Sequence, residues 1–189
     1  MDKLFFSEEH IMLVNMVADF ARSEIEPIAR ELDHESRFPK DIITKMGDLG
    51  LMGIPVPEQY GGAGMDTVAY AAAIMELAKA DASVAITVAA HTSLGTMPIV
   101  LSGSEEQKKK YVPKLASGEM LGAFGLTEPD AGSDAGSTKT TAEKNGDGYI
   151  VNGGKIFITN AGVAGILSFT TQIIENGENK GIGAFVVPT

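Results

Sequence analysis

The chain of 189 residues changes its pattern at the stretch Leu126-Thr127-Glu128-Pro129-Asp130-Ala131-Gly132-Ser133-Asp134-Ala135-Gly136. Small, hydroxyl-bearing and turn-forming residues follow an apolar run there, and strand-like runs come after them. Because glycine permits close backbone approach and positive φ, we expect the N–H groups of this loop to face a polar or anionic ligand. A second segment, Lys155-Ile156-Phe157-Ile158-Thr159-Asn160, follows in a matching context.

Upstream of this loop, apolar residues recur every three or four positions, as on one face of a helix. Helix starts are predicted at Ser7, Pro39, Asp66, either Asp81 or Ser83, and Ser104. Ser104 and Gln107 have the spacing of a capping box. Pro27 is expected to kink or end the first helix, and the apolar fourth helix is expected to be buried.

Downstream of the loop, short runs rich in β-branched and aromatic residues predict strands. The predicted strands are residues 138–143, 149–152, 155–159, 166–173 and 182–187, with hairpin signals at Asn145-Gly146-Asp147-Gly148 and Asn152-Gly153-Gly154. Strands and helices do not alternate, which disfavours a doubly wound parallel sheet. We therefore expect an α+β chain, with a helical domain over residues 1–118 and an antiparallel β-domain over residues 119–189.

The composition excludes several classes of protein. Hydrophobic content of 44% and charged content of 21% argue against disorder, and a net charge of −10 argues against non-specific nucleic-acid binding. Without cysteine, disulfides, thiolate nucleophiles and cysteine–zinc sites are excluded. The first seven residues lack a secretory n-region, and we find no apolar run of about 18 residues, so we expect a cytoplasmic chain with no membrane span.

The familiar catalytic and phosphate-binding patterns do not fit. A Walker loop, a Rossmann fingerprint and a serine-hydrolase elbow each need a glycine spacing that this sequence lacks. The three histidines, His10, His34 and His91, lie far apart, so we expect no metal site. We expect no catalytic residue among the scattered carboxylates.

The two quoted segments could be a polar turn and a half-buried edge strand. A flavin offers a better account, because it needs hydrogen-bond partners along its pyrimidine edge and at N5, and a flat apolar wall. The hydroxyls of Thr127 and Thr159 and the loop amides can supply the first, and Phe157 can supply the second.

At these residues the chain resembles the acyl-CoA dehydrogenase family. The segment 126–134 resembles the first signature of that family, and the segment 155–160 resembles its second flavin segment. Pro57-Glu58-Gln59-Tyr60-Gly61-Gly62 and Ser104-Glu105-Glu106-Gln107-Lys108 are similar to two further landmarks, in the expected order. The Ala-His-Thr-Ser segment at 90–93 is most similar to the bacterial short-chain, butyryl-CoA type.

The resemblance implies FAD-dependent removal of a Cα proton and a Cβ hydride from an acyl-CoA, with electrons passing to an electron-transferring flavoprotein. It implies that Ser133 also binds substrate, and that the full protein is a homo-oligomer, a homotetramer in this family. The cofactor-binding residues that it implies are Phe124, Gly125, Leu126, Thr127, Gly132, Ser133, Phe157, Ile158 and Thr159.

One departure from the family is large. Its catalytic base is a Glu on a C-terminal helical domain, and no matching motif occurs in these 189 residues. We therefore expect this chain to be the N-terminal part of a dehydrogenase and inactive alone. Enoyl-CoA reduction, acyl-CoA oxidation, and nitroalkane or hydroxylation chemistry on the same fold remain alternatives. A non-catalytic binding fragment that pairs through an open sheet edge is another.

Overall fold

The computed structural model describes residues 6–189, which fold as two compact units. The first unit ends at Met120 and the second runs Leu121–Thr189. The division lies two residues after the predicted boundary at 118/119. Residues 1–5, which belong to the start of the chain where we expect no secretory leader, lie outside the described residues.

The first unit is helical. Its α-helices are α1 (Glu8–Phe20), α2 (Ala29–Glu35), α3 (Lys40–Asp48), α4 (Thr67–Ala80), α5 (Ala82–Ala90), α6 (Met97–Ser102) and α7 (Glu105–Ala116). Two π-helical segments, Ala21–Ile25 and His91–Thr96, follow α1 and α5, and short 3₁₀ turns span Leu51–Gly53 and Glu58–Tyr60. The largest fully buried side chains of this unit include Ile25, Met46, Leu51, Met52, Leu77 and Leu115.

The predicted helix starts are confirmed. Ser7 and Ser104 each form a capping box, Ser7 with His10 and Ser104 with Gln107. Asp66 accepts from the Ala69 amide at 2.8 Å, which caps α4. Side chains at these positions bond backbone N–H groups that the first helical turn leaves unpaired, so the sequence marks the starts directly.

The choice between Asp81 and Ser83 is settled in favour of Asp81. Its carboxylate accepts from the Val84 amide at 2.8 Å, which caps α5. The break at Pro27 is also confirmed. After the π-helical segment Ala21–Ile25 the chain turns, and α2 begins two residues beyond the proline.

The stretch Ala82–Ser102 is one continuous helix, because a π-helical segment joins α5 to α6. By length and composition alone this helix could cross a membrane. The sequence analysis, which found no apolar run of about 18 residues, did not predict this. More than half of its most apolar window is buried, and His91, Thr92 and Thr96 inside it are buried as well. The burial predicted for this helix is confirmed over that part, and the core helix of a folded unit passes the same test of length and composition.

The second unit is a five-stranded mixed sheet. Its strands are β1 (Gly122–Gly125), β2 (Thr141–Asn145), β3 (Gly148–Asn152), β4 (Ile166–Glu175) and β5 (Glu178–Pro188). The pairs β2/β3 and β4/β5 are antiparallel, whereas β1/β4 and β2/β4 are parallel. The prediction of a purely antiparallel sheet is corrected in this respect, because residue patterns reveal hairpins between neighbours but not the pairing of distant strands.

Two local predictions in this unit were wrong. Residues 155–159 form no strand, since Phe157 takes a positive φ of 57° and interrupts the extended backbone. The Asn152-Gly153-Gly154 signal therefore makes no hairpin, and the glycines lead into an irregular segment. The Asn145–Gly148 hairpin is confirmed, with these two residues paired at its end.

Candidate functional site

The loop that carries the first signature connects β1 to β2, and both of these strands pair with the same edge of β4. β5 pairs along the other edge of β4, so β1 and β2 lie end to end on the edge that remains. β1 pairs with β4 as far as Phe169, and β2 pairs with β4 from Gln172 onward, which leaves a gap opposite Thr170 and Thr171. The chain from 126 to 140 loops out of this gap.

Glu128 anchors the loop from inside. Its side chain is only 4% exposed, and its carboxylate accepts from the amides of Lys139 at 2.7 Å and Thr140 at 3.1 Å. The Thr138 hydroxyl donates to the same carboxylate. Around the turn, the amides and carbonyls of Glu128 and Ala131 bond each other at 2.9 and 3.2 Å. The loop is thus tied back on itself at its base.

Lys155 fills the gap beside Glu128. Its ammonium, on a side chain that is 11% exposed, lies 2.7 Å from Glu128 Oε1. It also donates to the Leu126 carbonyl at 3.1 Å and to the Thr138 hydroxyl at 2.9 Å, with the Thr170 hydroxyl at 3.4 Å. The buried ion pair therefore joins the two segments that the sequence singled out.

The environment of Glu128 keeps it ionised. Burial acts to raise the pKa of this carboxyl, but the hydrogen bonds from Lys155, Thr138, Thr140 and Lys139 outweigh that effect. The resulting pKa lies well below the usual range of a glutamate. Glu128 is thus a fixed anion at neutral pH rather than a proton donor.

Gly125 makes room for the lysine. A Cβ at this position would lie 3.1 Å from Lys155 Cγ and 3.2 Å from Phe169 Cβ, which is tighter than ordinary van der Waals contact. The aliphatic part of Lys155 therefore passes over the end of β1 where no side chain intervenes. Gly125 is itself buried.

A backbone contact completes the link between the two segments. The Ile156 amide donates to the Thr127 carbonyl at 2.8 Å. Farther along, the Asn160 side-chain amide lies 3.5 Å from the Gly122 carbonyl. Leu126 and Thr127 therefore lie directly beside the segment that carries Phe157, Ile158 and Thr159.

Several of the predicted flavin contacts present unused groups on this surface. The Phe157 side chain is 89% exposed in a left-handed backbone conformation, and Leu126 is 37% exposed. Among residues 6–189, the Thr127 and Thr159 hydroxyls make no hydrogen bond. An exposed aromatic ring on a strained backbone, beside unpaired hydroxyls, fits a flat ligand with polar edges.

The remaining predicted residues are placed differently. Phe124 and Ile158 are half-buried, while Gly132 and Ser133 are exposed at the outer part of the loop. A Cβ at Gly132 would meet nothing within 4 Å, and its φ is not positive. The fold itself therefore does not require glycine there, and no contact joins Ser133 to the Glu128 cluster within the described chain.

Glu128 and Lys155 were not among the predicted site residues. The available signal was an acidic residue directly after Thr127 and a basic residue two positions before Phe157, in the two segments that the flavin hypothesis paired. A charge in such a position usually needs a partner when it is buried. Sequence reasoning matched the segments but did not pair these charges.

The first unit brings its own two landmarks together. The Tyr60 hydroxyl donates to Glu105 at 3.0 Å, which joins the 57–62 turn to the first turn of α7. Glu105 also accepts from Lys108 at 3.1 Å. His91 is fully buried, with its Nε2 3.0 Å from the Leu115 carbonyl, so it acts in the core. A search of residues 6–189 finds no cluster of three potential metal ligands.

Comparison with known proteins explains why these landmarks occur together. The chain matches two family models, "Acyl-CoA dehydrogenase, N-terminal domain" over residues 7–119 and "Acyl-CoA dehydrogenase, middle domain" over residues 123–189. It is 53% identical over 182 residues to an acyl-CoA dehydrogenase of Bacillus subtilis, covering 96% of this chain and 48% of that protein.

Two further relatives are similar over the same region. A short-chain specific acyl-CoA dehydrogenase of Clostridium acetobutylicum is 45% identical, over 96% of this chain and 48% of the relative. A 3-(aryl)acrylate reductase of Clostridium sporogenes is 44% identical, over 97% of this chain and 49% of the relative. The chain thus spans about half the length of the curated relatives it matches.

Solved structures share the fold. Butyryl-CoA dehydrogenase from Megasphaera elsdenii gives a TM-score of 0.90 at 40% identity, with all of this chain and 50% of that chain covered. An acyl-CoA dehydrogenase from Bacillus anthracis complexed with FAD gives 0.90 at 42% identity, with all of this chain and 32% of that chain covered.

A chain from work on an electron transferring flavoprotein of Acidaminococcus fermentans gives a TM-score of 0.93 at 42% identity, with all of this chain and 50% of that chain covered. The identities and coverage agree with the two family matches. The chain, with its helical unit, its mixed sheet and the two segments joined by Glu128 and Lys155, belongs to the acyl-CoA dehydrogenase family.

Proposed function

We propose that the full-length protein containing this chain catalyses FAD-dependent α,β-dehydrogenation of a short-chain acyl-CoA. The observation that carries the proposal is the joining of the Leu126–Thr127 and Phe157–Thr159 segments, which present an exposed ring and unpaired hydroxyls on neighbouring backbone. The short-chain specific relative and the butyryl-CoA dehydrogenase structure support the substrate class.

The residues of this chain bind and orient rather than transfer protons. When bound, FAD would accept the hydride that leaves Cβ of the acyl group. Phe157 would supply an apolar face, and the hydroxyls of Thr127 and Thr159 would supply hydrogen bonds to polar edges of the cofactor. Ser133, exposed on the outer loop, would serve both the cofactor and the thioester.

The proton-abstracting base is not assigned to any residue of this chain. Glu128 is buried, hydrogen-bonded and held ionised, so its role is to stabilise the loop rather than to accept a proton from substrate. We therefore propose that the 189-residue chain is inactive by itself and binds FAD weakly or not at all, because it supplies one wall of the site.

The test uses the full-length protein purified with its flavin. Anaerobic addition of butyryl-CoA should bleach the visible flavin absorption, and free CoA, the matched control, should leave it unchanged. An artificial electron acceptor should then support turnover. A flavin that stays oxidised with butyryl-CoA and with longer acyl-CoA substrates would contradict the proposal.

The reverse reaction is a second candidate. The 3-(aryl)acrylate reductase of Clostridium sporogenes is as similar to this chain as the short-chain specific relatives are. If the protein is a reductase, its reduced flavin should be reoxidised by an enoyl or arylacryloyl substrate faster than its oxidised flavin is bleached by the saturated one. Anaerobic measurement of both rates distinguishes the two directions.

The electron acceptor, assembly and location belong to the same proposal. The structural match from work on an electron transferring flavoprotein supports such a protein as the acceptor. We also propose homo-oligomeric assembly, which the family resemblance implies, and a cytoplasmic location, as expected from the sequence. Turnover with purified electron-transferring flavoprotein, light scattering after gel filtration, and cell fractionation test the three points in turn.

A further inference from the structure

Two consecutive residues hold the peptides on both sides of Thr127. The Lys155 ammonium donates to the Leu126 carbonyl at 3.1 Å, and the Ile156 amide donates to the Thr127 carbonyl at 2.8 Å. Neither the Leu126 nor the Thr127 peptide can turn without breaking one of these bonds. The backbone at Thr127 is thus held at both of its flanking carbonyls.

Because the peptide group is planar, the hydrogen bond from Lys155 to the Leu126 carbonyl also fixes the direction of the Thr127 N–H. In a trans peptide the C=O and the N–H point in opposite directions. Since the Leu126 carbonyl points at the buried ammonium, the Thr127 N–H points away from it. Among residues 6–189, that N–H has no hydrogen-bond partner.

Glu128 holds the Lys155 ammonium within hydrogen-bonding distance of the Leu126 carbonyl. Lys155 has three donor hydrogens, and its three shortest contacts are Glu128 at 2.7 Å, Thr138 at 2.9 Å and the Leu126 carbonyl at 3.1 Å. Because both charged side chains are almost fully buried, water screens their attraction little. With its three hydrogens directed at these three acceptors, the ammonium has a single orientation.

We infer that Lys155, held by Glu128, is a positioning residue that orients the Leu126–Thr127 peptide so that the Thr127 N–H faces the flavin. This inference rests on the proposed function for its ligand. It assigns the buried pair a role in flavin binding that a purely structural ion pair would not have. The pair acts through backbone, so neither side chain needs to touch the cofactor.

The test separates positioning from stability. In the full-length protein, the double variant Lys155→Met with Glu128→Gln removes both buried charges, so no unpaired charge remains to unfold the loop. The Leu126 carbonyl nevertheless loses its donor. We expect a folded protein whose FAD dissociation constant rises at least about tenfold and whose visible flavin circular dichroism changes.

A matched control lies in the same loop. Lys139 and Asp130 form an ion pair at 2.9 Å, but their side chains are 70% and 66% exposed and do not contact Leu126. The double variant Lys139→Met with Asp130→Asn makes the same change of charge. We expect its FAD affinity and flavin spectrum to equal those of the unmodified protein.

Hydrogen exchange of the apoprotein provides a readout without the cofactor. In the Lys155→Met, Glu128→Gln variant, the Ile156 amide should exchange faster, since the peptides beside it are no longer held. Unchanged exchange would contradict the inference. So would wild-type FAD affinity and spectrum in that variant, or equal losses in the control pair.

These outcomes are distinct from failure of the proposed function. A full-length protein that holds FAD but oxidises no acyl-CoA refutes the dehydrogenase proposal. The same titrations would still support the positioning role if only the Lys155 and Glu128 variant lost affinity.

Discussion

The amide of Ile156 donates to the carbonyl of Thr127 at 2.8 Å, which places two segments separated by nearly thirty residues side by side. This is a backbone contact, so it does not depend on which side chains the two residues carry. Side chains add the buried pair of Glu128 and Lys155 beneath it.

Loss of the Glu128 charge should destabilise the loop. In the full-length protein, Glu128→Gln leaves the Lys155 ammonium buried and unpaired, and breaking such a pair costs about 3 to 5 kcal/mol. Urea unfolding and hydrogen exchange at the β4 amides should both show the loss. Asp130→Asn, which removes an exposed carboxylate from the same loop, should leave both measurements unchanged.

The same residue predicts a pH dependence. Because the folded pKa of Glu128 lies below its ordinary value, its contribution is fully present above about pH 4.5 and is lost as the pH falls toward the folded pKa. Unfolding free energy measured from pH 6 downward should therefore fall less steeply in Glu128→Gln than in the unmodified protein. Parallel curves would contradict this prediction.

Gly125→Ala should displace Lys155 without removing any charge. The added Cβ would press on Lys155 Cγ and Phe169 Cβ, and overpacking of this kind costs about 1 to 3 kcal/mol. Thermal unfolding of the full-length protein checks the stability. Gly154→Ala is the matched control, because a Cβ there meets nothing within 4 Å. Equal melting temperatures for the two variants would show that the lysine is not confined by this glycine.

We expect Phe157 to strengthen FAD binding while lowering the stability of the folded protein slightly. Its φ of 57° suits asparagine better than phenylalanine, and its exposed ring contributes little packing. We expect Phe157→Asn to leave the unfolding free energy equal or higher by about 0.5 to 1 kcal/mol. We also expect it to bind FAD more weakly in the full-length protein. Unchanged FAD affinity, measured by titration of the apoprotein, would show that the ring does not face the flavin.

His91 should make the helical unit sensitive to acid. Burial lowers the pKa of His91 to about 4, although hydrogen bonding to the Leu115 and Met52 carbonyls opposes the shift. The unfolded pKa is about 6.5, so stability is complete above it and falls as the pH drops toward about 4. The expected loss is about 3 kcal/mol.

Urea unfolding of the full-length protein at a series of pH values measures this loss. His91→Gln cannot titrate but can still donate to the Leu115 carbonyl, so its curve should be flatter between pH 6.5 and pH 4. Identical slopes for the two proteins would assign the acid sensitivity to other groups.

Short stretches of sequence were sufficient to predict several elements of both units. The capping residues Ser7, Asp66 and Ser104 mark helix starts because the bonds they make span only three residues. The Asn145–Gly148 hairpin is equally local. The irregular backbone at Phe157 was not readable, because a β-branched and aromatic run favours a strand and nothing in it signals a positive φ.

The amino-acid sequence by itself determined the order of helices and strands and the two segments on which the site is built, since these follow from capping, periodicity and turn chemistry within short windows. Only the tertiary structure decided that β1 and β2 share one edge of β4, and that Lys155 reaches Glu128 through the gap between them. The reason is physical: a buried charge is tolerated only where distant segments bring its partners together, and no local pattern records which segments will meet.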